Sequence, residues 1–249
     1  MSICYVKNKC FITILVKNIQ KIYQKVLHFD DENVIIPLYF IRKDKAMPLE
    51  TLNVKGVNQP KTKLGLAKMH KIITAAEELF TSVGFYQTSI SDICKKADTA
   101  VGTFYIYFNT KTDIYRYLMV KYKREIKDYL ADAIVDCSNR YEREREGIKC
   151  FVKYAVKNPN VYNIIWGSLA IDKSMFTDYY VSFAKSYTRG LSKDQDEINS
   201  EDTTTLAYAL MGTSNFLGLR AMFENMSDDE IDKMIDETLM PTLKSGVLK

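Results

Sequence analysis

The chain has 249 residues, 47% of them hydrophobic, which suffices for one large or two small domains with a packed core and excludes disorder throughout. A formal net charge of +4 argues weakly for a polyanionic partner, but its distribution is uneven: Lys55 to Asp128 holds thirteen basic and seven acidic residues, Gly190 to Met240 three and twelve. That asymmetry predicts a basic end that meets an anion. Five cysteines without C-x-x-C spacing indicate neither a disulfide framework nor a zinc site, and they fit a reducing cytoplasm. The longest uncharged apolar runs, Cys10 to Val16 and Asn33 to Ile41, fall far below the about 20 residues that span a bilayer, so no membrane association is expected.

In the first fifty residues no helical or strand period emerges. They read either as a small accessory segment or as translated sequence ahead of a start at Met47 or Met69. Pro48, Gly56, Pro60 and Gly65 then read as linker. From Lys68 the helical period is strong: Ile72, Ile73, Ala76, Leu79 and Phe80 share one face of a helix that Gly84 ends. A shorter stripe follows at Ile90, Ile93, Cys94 and Ala97, with Thr88 or Ser89 as N-cap. After a turn near Asp98, Phe104 and Phe108 sit at i, i+4. Asn109 or Thr110 caps a long amphipathic helix that passes Leu130, with Asp113 placed for a capping box. Helix, short helix, tight turn and short helix outline a helix-turn-helix.

Downstream, "RYEREREG" reads as a solvated charge run. Helices are predicted over 147–158, 160–171, 176–191, 202–225 and 228–244, the last opened by a Ser227–Glu230 capping box. The fold class is all-α.

Four aromatics within five residues, Phe104, Tyr105, Tyr107 and Phe108, pose a chemical question. Phe104 and Phe108 complete a three-helix core, Gly102, Thr103 and Ile106 face outward, and Tyr105 and Tyr107 fall at the edges, about 100° and 60° from Phe104. Edge tyrosines can bury their rings and extend hydroxyls towards phosphates beside a helix laid in the DNA major groove.

This stretch resembles the TetR family of transcriptional regulators, whose DNA-binding region reads A-G-V-S-x-G-T-[LF]-Y-x-[YH]-F with a lysine three residues on. Ala97, Gly102, Thr103, Phe104, Tyr105, Tyr107, Phe108 and Lys111 match in place, and Ala75 to Ala97 is similar to the family's first two helices. Two departures matter. Asp98 replaces the turn glycine, which aspartate tolerates because it visits left-handed backbone. Ala100 replaces the serine N-cap, so Thr99 is expected to cap, at a loss of about 1 kcal/mol.

The resemblance implies a helix-turn-helix DNA-binding domain over 67–112, preceded by an extension and linker of unknown role over 1–66. A helical effector-binding and dimerisation domain would follow over 113–249. Thr88 and Ser89 would bind phosphate at the start of the second helix. Thr103, Tyr105 and Tyr107 would contact phosphate or base edges, Lys111 would anchor a phosphate, and Ala100, Val101 and Gly102 would face the groove. For Val101 helical spacing points to the buried side, the resemblance to the groove. Without Arg, Asn or Gln on this helix, bidentate base readout is absent from it. Thymine methyls, DNA shape and a basic arm around Lys61, Lys63, Lys68 and Lys71 would carry specificity, unless those lysines belong to a solvated linker.

Tyr162, Trp166, Phe176, Tyr179, Tyr180 and Phe183 have the composition both of a plain core and of a pocket; the resemblance implies that the region encloses a small-molecule effector. The last two helices carry Leu206, Ala209, Leu210, Thr213, Phe216, Leu217 and Arg220, then Ile231, Met234, Ile235 and Leu239. Two copies of each would form a four-helix homodimer interface, as in the family, with Gly212 and Gly218 marking close helix approach. The expected partners are double-stranded DNA, a small-molecule effector and a second copy of the chain; no metal or cofactor is expected. An enzyme is disfavoured because His28 and His70 are the only histidines, with no nucleophile signature, Gly-rich phosphate loop or metal-ligand spacing. A DNA-binding protein of architectural or cell-division type, without an effector, is the remaining alternative.

Overall fold

The computed structural model describes residues 52–248. The readings made for the first fifty residues lie outside them. Helix α1 (Lys63–Ser82), α2 (Ile90–Lys96) and α3 (Val101–Tyr107) form the three-helix unit. They are followed by α4 (Lys111–Ile134), α5 (Arg140–Lys157), α6 (Pro159–Ile171), α7 (Lys173–Lys193) and α8 (Thr203–Phe223). The chain then runs through α9 (Asp228–Met234), a π-helical turn (Ile235–Leu239) and α10 (Met240–Gly246). Among the described residues no strand forms; two isolated bridges, Val57 to Phe108 and Ile198 to Leu248, are the extent of β pairing.

Local chemistry explains most of these boundaries. Thr62 caps α1, accepting from the Gly65 N–H, so the helix starts ahead of the Lys68 onset and the 67 boundary expected from sequence. Lys63, Lys68 and Lys71 are therefore helical and exposed rather than part of a flexible linker. Gly84, at φ +99°, turns the chain after α1. Asp98 takes φ +51° at the turn between α2 and α3, the left-handed conformation expected of it. The cap of α3 is a correction: Ala100 occupies the N-cap position and makes no side-chain bond, so Thr99 does not supply one. Ser227 and Glu230 form the expected capping box, but the single helix predicted over 228–244 is interrupted. Pro241 lacks an N–H, and the backbone accommodates it with the π-helical turn just before.

One apolar cluster runs without a break from Ile72 and Phe80 through Phe104, Phe108, Ile114 and Leu118 to Ile164 and Tyr179. Because α4 continues across 112–113, the predicted domain boundary is a change of packing partners rather than a gap in the core. A second cluster joins α5, α8, α9 and α10. Here Leu206, Leu210, Ile231 and Ile235 are buried within the chain's own core, against the expectation that they form a dimer seam. The outward apolar positions of α8 are instead Tyr208, Phe216 and Phe223, with Gly212 on the same stripe. Gly218 does mark a close approach: a Cβ there would meet Ala155 Cβ at 3.4 Å.

"RYEREREG" is not a solvated run. Arg140 and Glu144, 6% and 2% exposed, form a buried ion pair, and the Tyr187 hydroxyl donates to Glu144. Arg143 reaches Asp194 at 2.7 Å, and Arg145 grips both oxygens of Asp236 at 2.7 and 2.8 Å. The acidic partners of Arg143 and Arg145 come from segments some fifty to ninety positions away, which a local charge pattern does not reveal.

Candidate nucleic-acid interface

Helix α3 is held by Phe104 and Phe108, both fully buried, and by Tyr107, 5% exposed. Its opposite side carries Val101, Tyr105 and Ile106 at 44%, 51% and 59% exposure. Gly102 lies among them, and a Cβ there would meet nothing within 4 Å among the described residues. Ala100 is exposed and Thr103 half-buried. The outward face thus joins Ala100, Val101, Gly102, Tyr105 and Ile106, and Val101 belongs to it rather than to the core. A flat, apolar helix face with one phenol fits a groove lined by methyl groups and phosphates.

Four expected contacts are placed differently. The Tyr107 ring is core rather than edge; its hydroxyl lies beside Gly65, 3.3 Å from where a Cβ would stand, in the first turn of α1. Thr88 is 2% exposed and its hydroxyl donates to the Gly84 carbonyl at 2.7 Å, so it locks the α1–α2 turn instead of facing a phosphate. Ser89 caps α2 within a capping box, donating its hydroxyl to Asp92 Oδ2 at 2.6 Å, which sets a carboxylate where a phosphate was expected. That bond holds the Asp92 carboxyl below the ordinary carboxylate range.

Lys111 is committed inward as well. Its ammonium donates to the carbonyls of Phe85 at 2.5 Å and Thr88 at 2.7 Å and sits 4.3 Å from the Phe85 ring centroid. Desolvation pulls its pKa below the ordinary lysine value. Lys61, Lys63, Lys68 and Lys71 are exposed cations along and just before α1.

The three-helix unit and α4 together are tied to α6 and its C-terminal end at three points. Tyr115 donates to the Ile164 carbonyl at 2.6 Å, Tyr86 to the Ala170 carbonyl at 2.6 Å, and Arg116 bridges Asp113 at 2.7 Å and Asp172 at 3.4 Å. Helix α6 therefore touches the three-helix unit with one face.

Its other face bears the aromatic cluster. A cavity of about 10 Å³, room for about one water, is lined by Tyr162, Trp166, Tyr179 and Asn215 among others, with no charged side chain in its wall. Phe176, Tyr180 and Phe183 stack against these residues, Phe176 to Tyr180 at 4.7 Å and Tyr179 to Phe183 at 4.9 Å, but do not line the cavity. The expected effector space is thus nearly filled by the protein's own rings.

The family profile described as "Bacterial regulatory proteins, tetR family" matches residues 72–118, which span most of α1, all of α2 and α3 and the start of α4. The chain carries the DNA-binding module of the TetR family. Over 44 residues it is 54% identical to the HTH-type transcriptional regulator YvdT of Bacillus subtilis, and over 83 residues 31% identical to the HTH-type transcriptional regulator LmrA of the same organism. Those matches cover 18% and 33% of this chain and 23% and 43% of the relatives, so the likeness in sequence is confined to less than half of each. The likeness in fold extends further: Salmonella enterica GusR superposes with a TM-score of 0.63 at 20% identity, covering 75% of this chain and 98% of GusR. Among the described residues, no helix is long and apolar enough to cross a membrane.

Proposed function

We propose that the protein is a cytoplasmic, homodimeric transcriptional repressor that binds a palindromic operator and is released by a small-molecule effector. The observation that carries the reading is the outward face of α3, where Val101, Tyr105 and Ile106 stay exposed on a helix whose other side is locked into the core. Exposed apolar groups in such a patch mark an interaction surface. Dimerisation would use the stripe of Tyr208, Gly212, Phe216 and Phe223 on α8, with two-fold symmetry setting the half-site spacing. Thr88 and Lys111 fasten the α1–α2 turn and Ser89 caps α2; Ala100, Val101, Gly102, Thr103 and Tyr105 are the proposed DNA-facing groups. Catalysis has no role in this reading.

Selection from a genomic fragment library at two salt concentrations, wild type beside Tyr105→Ala, tests it. Enrichment of a palindrome, weakened by salt and reduced in the variant, is the expected result. A folded dimer that enriches no sequence overturns it. A second reading, a DNA-binding protein of architectural type without an effector, is favoured by one observation, the near-complete filling of the aromatic cavity. Release from the operator by a compound that also raises Tm excludes that alternative.

A further inference from the structure

Residues 52–61, within the stretch that reads as linker in the sequence, form a strap across the end of α3. Val54 is buried in the main core, with Leu52 and Val57 packed beside it. The Gln59 amide donates to the Leu52 carbonyl and closes the strap into a loop. From this loop the Asn58 backbone N–H donates to the Tyr107 carbonyl at 2.8 Å, and the Asn58 side-chain amide to the Ile106 carbonyl at 3.0 Å. The Asn109 N–H returns a bond to the Gly56 carbonyl at 3.3 Å, and Val57 pairs with Phe108. Gly56 takes φ +81°, and a Cβ there would collide with the Asp113 carboxylate in the first turn of α4. That carboxylate is itself fixed, by the Thr110 hydroxyl at 2.7 Å and by Arg116 at 2.7 Å, so the strap rests on a rigid seat.

Helix α3 needs such a fastening. Its seven residues are too few for a helix to stand alone, and Ala100 leaves its N-cap without a side-chain bond. The last carbonyls of a helix have no partner within it, and Asn58 supplies donors to two of them. Phe104, Tyr107 and Phe108 fix how deeply α3 sits and which face it buries. A helix held by rings on one face can still rock about them, and a pair of bonds at one end removes that freedom.

The geometry points to Asn58 as a positioning residue for DNA reading: from the strap it holds the C-terminal end of α3 so that Val101, Tyr105 and Ile106 meet the groove in one orientation. The inference rests on the DNA-binding regulator reading and adds to that site a segment ahead of α1. Ile106 makes the link direct, since its carbonyl receives the Asn58 amide while the residue stands 59% exposed on the outward face. Attraction to phosphates tolerates a rocking helix because charge acts over a distance, whereas contact with base edges does not. Loss of the bond therefore weakens binding of the operator and leaves binding of other DNA nearly untouched.

Asn58→Ala in the full chain tests this: the backbone N–H stays, the side-chain amide goes, and substitution at an exposed position keeps the fold. Anisotropy titrations with the selected operator and with a scrambled duplex are paired with hydrogen exchange of the DNA-free proteins. Operator binding weakened about fivefold to tenfold, scrambled-duplex binding within about twofold of wild type, and α3 amides exchanging about fivefold to tenfold faster are the expected results. Unchanged operator affinity overturns the inference even if α3 exchanges faster, because the strap is then merely structural. Unchanged α3 exchange overturns it too, since a loss of affinity alone would make Asn58 a direct DNA contact. Equal losses on both duplexes, the signature of a partly unfolded chain, overturn it as well. A wild type that selects no operator overturns the regulator reading and this inference with it; a wild type that selects one, beside an indistinguishable variant, removes only the role of Asn58.

Discussion

The ammonium of Lys111, at the first position of α4, spans the domain to donate to both the Phe85 and Thr88 carbonyls, 26 and 23 residues earlier, at 2.5 and 2.7 Å. It closes the loop between α1 and α2 against the helix that follows α3. Lys111→Met keeps the stem over Phe85 but leaves both carbonyls without the charge-assisted donor, and is expected to destabilise the DNA-free protein by about 2 kcal/mol. Urea unfolding measures this directly. Unchanged stability with weakened operator binding would return Lys111 to the role of a phosphate anchor.

Tyr105 gives the opposite pattern. Half of its surface is exposed and its ring touches Phe104 edge-on at 5.5 Å, so little folding energy rests on it. Tyr105→Ala is expected to change stability by no more than about 0.5 kcal/mol. The same change is expected to weaken binding of the selected operator by about tenfold. Equal affinities of variant and wild type in a fluorescence anisotropy titration would remove Tyr105 from the interface.

What could be read from the chain without coordinates follows the range of the interaction. Asp98 in a left-handed turn and Ser227 bonded to Glu230 depend on neighbours within three residues, and spacing alone exposes them. Phe104 and Phe108 obey the helical period, so their burial was also legible. The fate of Lys111 and part of that of Arg140 depend on carbonyls and carboxylates far along the chain, while Thr88 turns back to the Gly84 carbonyl four residues earlier; a residue type that can meet a phosphate can equally meet those. Tyr107 illustrates the limit: only about 40° of helix rotation divides a position facing the core from one at its edge, and the packing against Gly65 decides it.

Gly167 is required by the Tyr115 hydroxyl, which stands 2.9 Å from where its Cβ would lie and donates to Ile164 from inside the core. Gly167→Ala gains helix propensity but displaces that hydroxyl, for an expected net loss of about 1 kcal/mol. In a Tyr115→Phe background the obstructing oxygen is gone, so the same substitution is expected to become neutral or stabilising. Thermal unfolding of the four proteins tests this, and additive effects would sink the account.

Asp236 links acid sensitivity to the contact between α5 and the π-helical turn. The bidentate Arg145 bond comes first and Lys149 at 2.7 Å second in holding its carboxyl well below the ordinary range. A carboxyl depressed in the folded state contributes stability that is fully present above its unfolded pKa, about 4. This contribution is lost as pH falls through the folded value. Wild type should therefore lose Tm more steeply below about pH 4 than Asp236→Asn does. Parallel acid limbs in the two proteins would detach Asp236 from the pH response.

The buried pair of Arg140 and Glu144 makes the sharpest distinction between an interaction that stabilises and one that merely must not be broken. Glu144→Gln leaves a guanidinium in the interior with Asp194 at 3.4 Å as its remaining carboxylate partner, and removes the charged acceptor of the Tyr187 hydroxyl. The expected loss is about 3 to 5 kcal/mol, because the desolvated cation is no longer compensated. Removing both charges in Arg140→Met with Glu144→Leu eliminates that desolvation along with the attraction. The double variant is therefore expected to recover most of the loss, although Tyr187 and Asp194 each forgo a partner. Should the double variant be as unstable as the sum of its single changes, the pair would be a net source of stability, and the network around Asp194 would have to be counted as part of the core.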